Sequence, residues 1–438
     1  MEKNLQPPVQ FPEAVRKEFG LDPNLVFLNH GSFGSVPRCV RAAQDTWRDR
    51  LEADPIEMIG RRIESMLAEV KGHLAKAFGG LPAEYGLVTN ATEGVNAVLR
   101  SLRLNPGDEL LCTDHVYFAV KQAMRSRAGE CGATVREVPV EIPTQSPDAL
   151  LRPILAAVNA HTKLLVIDHV TSPTALHFPV GQLRSQLPAG TLLLVDGAHA
   201  PGSIQLDVSA VHAEFYAANL HKWIMAPKGS AFLRVQADYA NQIHPCVISH
   251  HFGSSFQREF DWQGTRDFSA WLAVPAALAF LHELGFERVL QHNHALACWA
   301  HQLLVHGLDV SPASPLDGCC LTSMATVQLP DTLRRFGTVE ALQADLYATE
   351  RIEVPIIDWG GRWWVRVSAA IYNLPEHYER LLIALKARRR HQVFMQSWGP
   401  KRFGKLPERS MDASVKMACC VRCFQLILRS RFEIRQNF

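Results

Sequence analysis

An α/β architecture, with a mostly parallel sheet in a large domain followed by a smaller α+β domain, is predicted by three features of the sequence. Short aliphatic runs lack polar alternation and are bounded by turn residues, the pattern of strands covered on both faces. Polar residues able to carry chemistry close these runs, where open α/β sheets present their ligand crevice. The chain has 438 residues, more than one compact core usually spans, so two domains are expected.

Along the chain, residues 1–20 read as an N-terminal arm and 21–285 as the large domain. Residues 85–90 form a strand, and Ala91 to Leu99 the first turns of a helix. Backbone N–H groups at such a start, with the Thr92 hydroxyl, can hold a dianion against the positive end of the helix dipole. An ordinary capping threonine before the acidic Glu93 is the plainer account of the same residues. Residues 163–170 and 191–195 follow as buried strands, and 215–219 and 229–235 continue the series. Asp196 closes one run, and Lys222 follows another within Ala-Asn-Leu-His-Lys-Trp. Taken singly, a lysine is most often a solvated charge and a strand-end aspartate a loop residue. Taken together, they have a joint use: a lysine can condense with an aldehyde, and a carboxylate can keep a pyridine nitrogen protonated. The pair suggests pyridoxal phosphate, with the Thr92 helix start as its phosphate clamp.

Residues 286–391 are expected to form the smaller domain. It opens with a helix carrying His292, His294 and His301 and contains strands at 324–329 and 363–368. The three histidines scatter over several helix faces, so solvated or capping roles are expected and no metal site is predicted. Residues 392–438 form an atypical tail, entered through Arg388, Arg389 and Arg390 and basic at its end. It is read as a disordered extension rather than a partner-binding or membrane-binding segment.

Seven segments in order carry a more specific resemblance: Phe27-Leu28-Asn29-His30-Gly31-Ser32-Phe33-Gly34, Asn90-Ala91-Thr92-Glu93-Gly94, Asp114-His115-Val116-Tyr117, Asp196-Gly197-Ala198-His199, His221-Lys222-Trp223, Trp262-Gln263-Gly264-Thr265-Arg266-Asp267, and Val365-Arg366-Val367-Ser368 with Tyr372-Asn373. The chain resembles the class V aminotransferase family of pyridoxal-phosphate fold type I, and most closely its isopenicillin N epimerase-like branch, over about residues 20 to 390. The resemblance implies that Lys222 joins the cofactor aldehyde and moves the proton at the substrate α-carbon. Asp196 then pairs with the pyridinium nitrogen, His199, Thr171 and Ser172 lie near the phenolic oxygen, and Tyr117 stacks on the ring. Ala91, Thr92, Asn219 and His221 bind phosphate, although many relatives have Ser or Thr in place of Asn219. Gly264 and Thr265 reach the phosphate of a neighbouring subunit, which makes the expected assembly a homodimer with shared active sites. Arg366 grips the substrate carboxylate, and Asn29 and His30 also stand among the substrate-binding residues.

Composition agrees. The chain is 47% hydrophobic and 20% charged with a formal net charge of +2, which gives no reason to expect attraction to nucleic acid or anionic lipid. The longest apolar stretch, 270–281, is interrupted by Pro275 and is too short to cross a bilayer. The first residues lack the apolar core of a signal peptide, and ten cysteines without a repeated framework suggest reduced thiols in a cytoplasmic setting.

The reaction is less constrained. Related cysteine desulfurases place a nucleophilic cysteine on the loop before the carboxylate-binding arginine, whereas residues 353–366 hold none. Epimerisation of an amino acid or amino-acid-containing substrate, C–S lysis of the hercynylcysteine sulfoxide lyase type, and transamination remain, all beginning with removal of the α-proton. An epimerase needs proton delivery from both faces, and His30 and Tyr372 are candidates for the second donor. A catalytically silent relative that binds the cofactor is the alternative of a different class.

Overall fold

The structure is a computed structural model that describes residues 6–396, with side chains as far as residue 389. Residues 397–438 of the tail lie outside the described residues. Up to Arg390 the chain forms one compact unit.

Twelve strands are present among the described residues: β1 (Val26–Phe27), β2 (Tyr85–Val88), β3 (Glu109–Thr113), β4 (Thr134–Val138), β5 (Thr162–Asp168), β6 (Leu192–Asp196), β7 (Phe215–Asn219), β8 (Ala231–Val235), β9 (Met324–Gln328), β10 (Ile352–Glu353), β11 (Ile356–Trp359) and β12 (Arg362–Ser368). Seven of them form the main sheet in the order β2-β8-β7-β6-β5-β3-β4. Neighbours run parallel except at β8, which is antiparallel to both β2 and β7. The reversal follows from chain length. A helical crossover needs about a dozen residues or more, and the segment from Asn219 to Ala231 turns back instead, carrying Lys222 over the ends of the parallel strands.

The lack of polar alternation now has its cause. Along β5 and β6, Leu165, Ile167, Leu193 and Val195 enter one core. Their alternates Leu164, Val166, Leu192 and Leu194 enter a second core on the other face. Successive side chains of a strand point to opposite faces, so a sheet covered on both sides needs apolar residues at every position. Gly94 lets one covering helix approach closely: a Cβ there would lie 3.1 Å from the Ala217 methyl.

A third core gathers β9, β11 and β12, which pair antiparallel in the order β11-β12-β9, against the helices Phe286–Leu308 and Val339–Glu350. Val26 and Leu28, expected with the large domain, are buried in this core, and β1 pairs in parallel with β10. The expectation of solvated histidines is corrected here. His292 is 7% and His301 1% exposed, because both face inward along the long helix. Among the described residues, no three His, Cys, Asp or Glu side chains group to hold a metal.

One ion pair is sealed inside the large core region: Lys71 Nζ lies 2.6 Å from Asp261 Oδ2, with both side chains about as inaccessible as the leucines around them. Lys71→Met should destabilise the protein by about 3–5 kcal/mol, the range for removing one partner of a buried pair. Chemical denaturation at neutral pH measures this, and a loss under about 1 kcal/mol would mean that the pair is not sealed from water.

Candidate active site

The parallel strands deliver polar residues to a common edge. Asp168 ends β5, Asp196 ends β6 beside it in register, and Asn219 ends β7. The helix Ala91–Ser101 starts at the same edge with Asn90 as its N-cap, the Asn90 side chain accepting from Glu93 N at 2.9 Å. These groups line a cavity of about 370 Å³, together with Tyr117, Ser172, His199, His221 and Lys222. That volume is within the range of small-molecule sites, roughly 300–1,000 Å³. A larger open groove of about 760 Å³, lined by Pro143, Arg334 and Arg362 among others, shares no residue with it and brings no lysine, histidine or cysteine to its walls.

Lys222 is the centre of the cavity's chemistry. Burial pushes its amine down to about 7, and the Arg366 charge acts in the same direction while Asp196 and Asp168 oppose it. Its Nζ stands 3.0 Å from His199 Nε2. Burial also holds His199 well below the usual histidine range, aided by Lys222 and Arg366. The Asp196 carboxyl is raised by burial, and its Oδ1 accepts from Ala198 N at 2.9 Å.

At the helix start, Ala91 N donates to Asn219 Oδ1 at 2.8 Å. That bond orients the amide, so Asn219 keeps its NH2 group as a donor and can do the work of the hydroxyl common at this position. Thr92 and His221 line the same end, where burial pushes His221 down to about 4.

Arg366, on β12, is buried and has no carboxylate partner. Nη1 donates to Ser172 O at 2.6 Å and Ser172 Oγ at 3.1 Å, Nη2 donates to Ser32 Oγ at 3.1 Å, and Nε has no partner. Burial lowers its pKa to about 10. A buried charge without a counter-ion is costly, and an incoming carboxylate removes that cost.

Several expected residues meet here and others do not. Ala91, Thr92, Tyr117, Ser172, Asp196, His199, Asn219, His221 and Lys222 all line the cavity. Thr171 does not. Its hydroxyl is turned into the protein, bonding Thr174 Oγ1 and accepting from Leu176 N, both at 2.8 Å. Asn29 acts at one remove: Oδ1 accepts from Ser32 Oγ at 2.5 Å, while Nδ2 donates to Glu353. His30 is fully engaged below the site, with Nε2 2.9 Å from the Lys222 carbonyl and Nδ1 2.7 Å from Tyr372 Oη. Gly264 and Thr265 lie off this cavity, Gly264 in a turn at φ +108°.

Ser32, Phe33, Asn90, Asp168 and Ala198 line the cavity without having been singled out as site residues. Asp168 had a signal. It ends an aliphatic run just as Asp196 does, one strand over. Burial first and then the Asp196 charge raise its carboxyl well above 3.8, and Oδ2 has no hydrogen-bond partner.

The Aminotransferase class-V family model matches residues 36–334. The chain belongs to the class V aminotransferase family. Its members are enzymes that depend on pyridoxal phosphate. Within this family, the chain is 33% identical to an isopenicillin N epimerase of Amycolatopsis lactamdurans, over 85% of its own length and 97% of the relative's. It is 31% identical to a putative L-cysteine desulfhydrase of Oryza sativa subsp. japonica, over 84% of each chain. In fold it resembles the cystine C–S lyase C-DES, at a TM-score of 0.70 and 21% identity, over 83% of this chain and 97% of that one. A cysteine desulfurase of Thermococcus onnurineus NA1 aligns with a TM-score of 0.73 at 18% identity, over 87% and 99%. These structural likenesses show fold type I, as the family resemblance implied.

The residues present fit the family's cofactor: a desolvated amine, a carboxyl at a strand end, and amide and hydroxyl donors at a helix start converge on one cavity. Asp168 yields a test of its charge state. A carboxyl with a raised folded pKa contributes stability that is complete below its unfolded value, near 3.8, and is lost as pH rises through the folded value. Asn cannot ionise, so cofactor-free Asp168→Asn should gain thermal stability relative to the parent between pH 5 and pH 8. A gap that stays constant or narrows over that interval would show Asp168 ionised throughout.

Proposed function

We propose that this protein holds pyridoxal phosphate on Lys222 and uses the lysine to remove the α-hydrogen of a small amino-acid substrate, with loss of a sulfur substituent from the β-carbon as the outcome. The observation that carries this reading is Arg366: a buried guanidinium without a carboxylate partner, bonded to Ser172 and Ser32 of the wall of the cavity that contains a desolvated amine. It is a built site for the carboxylate of a molecule whose amino group belongs at Lys222.

Pyridoxal phosphate supplies an electron sink that makes the α-hydrogen acidic. The chain's own groups then divide the work. The helix start at Ala91 and Thr92, with Asn219 and His221, holds the phosphate. With the cofactor bound, Asp196 would keep the ring nitrogen protonated, Tyr117 would cover a ring face, and His199 and Ser172 would serve the phenolic oxygen. Ser172 and Ser32 orient Arg366, and Asn29 orients Ser32. Gly264 and Thr265 serve the phosphate of a neighbouring subunit, in a homodimer with shared sites. Residues 21–285 supply the cofactor-binding domain and 286–391 the smaller domain that brings Arg366. Among the described residues, no single helix is long and apolar enough to cross a membrane, and free cysteines are compatible with a cytoplasmic setting.

Elimination needs one base, whereas epimerisation needs a second donor on the opposite face. His30 and Tyr372, the candidates for that donor, do not line the cavity; they are bonded to each other, and His30 also bonds the Lys222 backbone. This favours C–S lysis over epimerisation and places no demand on a cysteine. Cys319 and Cys320 face each other with sulfurs 3.9 Å apart and do not line the cavity, which weighs against persulfide chemistry. Epimerisation is the second reading, supported by the 33% identical relative.

With L-cysteine the expected products are sulfide, pyruvate and ammonia in equal amounts, measured by mass spectrometry and colorimetry. Alanine in place of pyruvate would overturn the reading in favour of a desulfurase; inversion at the α-carbon of a panel amino acid without cleavage would establish the epimerase. Arg366→Ala should weaken the apparent binding of the substrate by about 2–5 kcal/mol, as for truncation of one partner of a buried charge pair, with cofactor still bound. Unchanged KM in that variant would remove Arg366 from the substrate site.

A further inference from the structure

We infer that Trp223 is a positioning residue that fixes the proton of His199 on Nε2 and so holds Lys222 as a free amine. The indole Nε1 of Trp223 lies 3.4 Å from His199 Nδ1. An indole N–H is a donor only, so Nδ1 must accept. A neutral imidazole has one N–H, which that bond assigns to Nε2. This nitrogen in turn lies 3.0 Å from Lys222 Nζ. An ammonium group has donors and no lone pair, so a charged lysine would set N–H against N–H; a neutral amine accepts the bond.

The opposite arrangement, an ammonium donating to Nε2, would move the imidazole proton to Nδ1 and turn it towards the indole N–H. Trp223 is 1% exposed and has no water to retreat to. It is held in place by Val170, Ala175 and Met324, with its ring 4.8 Å from that of His30. An imidazolium is opposed by burial and by the charges of Lys222 and Arg366. The groups facing Lys222 from the packed elements are Asp168 at the end of β5, Asp196 at the end of β6, Arg366 on β12, and His199 and His221 in the loops; His30 touches its backbone. Of these the carboxyls favour the charged lysine, and the Trp223 and His199 pair counters them. The motif His221-Lys222-Trp223 thus places next to the lysine the group that controls it through a third side chain.

The inference rests on the reading of Lys222 as the reactive amine, but its test reads the amine directly. In the full-length protein freed of pyridoxal phosphate, Lys222 is labelled with acetic anhydride over a pH series and the modified peptide is quantified by mass spectrometry. The parent should titrate near 7. Trp223→Phe keeps an aromatic ring and loses the N–H, so the midpoint should rise by about one pH unit, lowering labelling near tenfold below both midpoints. His199→Gln should raise it as well, because an amide oxygen can then accept from the ammonium, and adding Trp223→Phe to that variant should change nothing further. No rise in His199→Gln, or an equal rise from Trp223→Phe with and without His199, would overturn the inference. If Lys222 titrates as stated but never captures pyridoxal phosphate, the functional reading fails while this one stands.

Discussion

The Lys222 amine is kept out of water between two carboxyls at strand ends and a buried guanidinium, and the surrounding architecture serves to maintain that balance. Removing water lowers the amine to about 7, while the neighbouring carboxyls are raised by the same desolvation. Charges interact more strongly where solvent cannot screen them. The arrangement leaves a nucleophilic amine near neutral pH without needing a separate base to activate it.

Three distant stretches of chain close around that lysine. The turn between β7 and β8 carries it, the segment after β1 supports it from below through His30, and β12 supplies Arg366 from the third core. Gly34, at φ +70°, belongs to the second of these; a Cβ there would run into the His221 carbonyl. The chain Glu353, Asn29, Ser32, Arg366 ties the same segment to β12. One continuous set of contacts therefore joins the Lys222 backbone, through the adjacent residues Asn29 and His30, to Arg366.

Much of this was legible in the residue order. The apolar runs of β5 to β7 announced strands covered on both faces, and the residues closing them, Asp196 and Asn219, fell where the crevice is. Lys222 and Arg366 were singled out from motif context. Thr171 was placed beside Ser172 by the family resemblance, and in this irregular turn after β5 its hydroxyl instead bonds Thr174 and Leu176 while Ser172 lines the cavity. His292 and His301 were read as solvated because their spacing scatters them around a helix, but this helix is enclosed on more than one side.

The sequence by itself determined the fold class, the family, the cofactor and most of the polar cavity wall, because strand periodicity, helix-start chemistry and short motifs are local properties of the chain. Only the tertiary structure decided the rest. It brought Val26 and Leu28 into the core of a segment some three hundred residues later, engaged His30 and Tyr372 with each other, and left Asp168 Oδ2 and Arg366 Nε without hydrogen-bond partners. Those outcomes depend on which side chains meet across long loops, on how many polar groups find partners there, and on how far water is excluded, none of which is a property of any short stretch of residues.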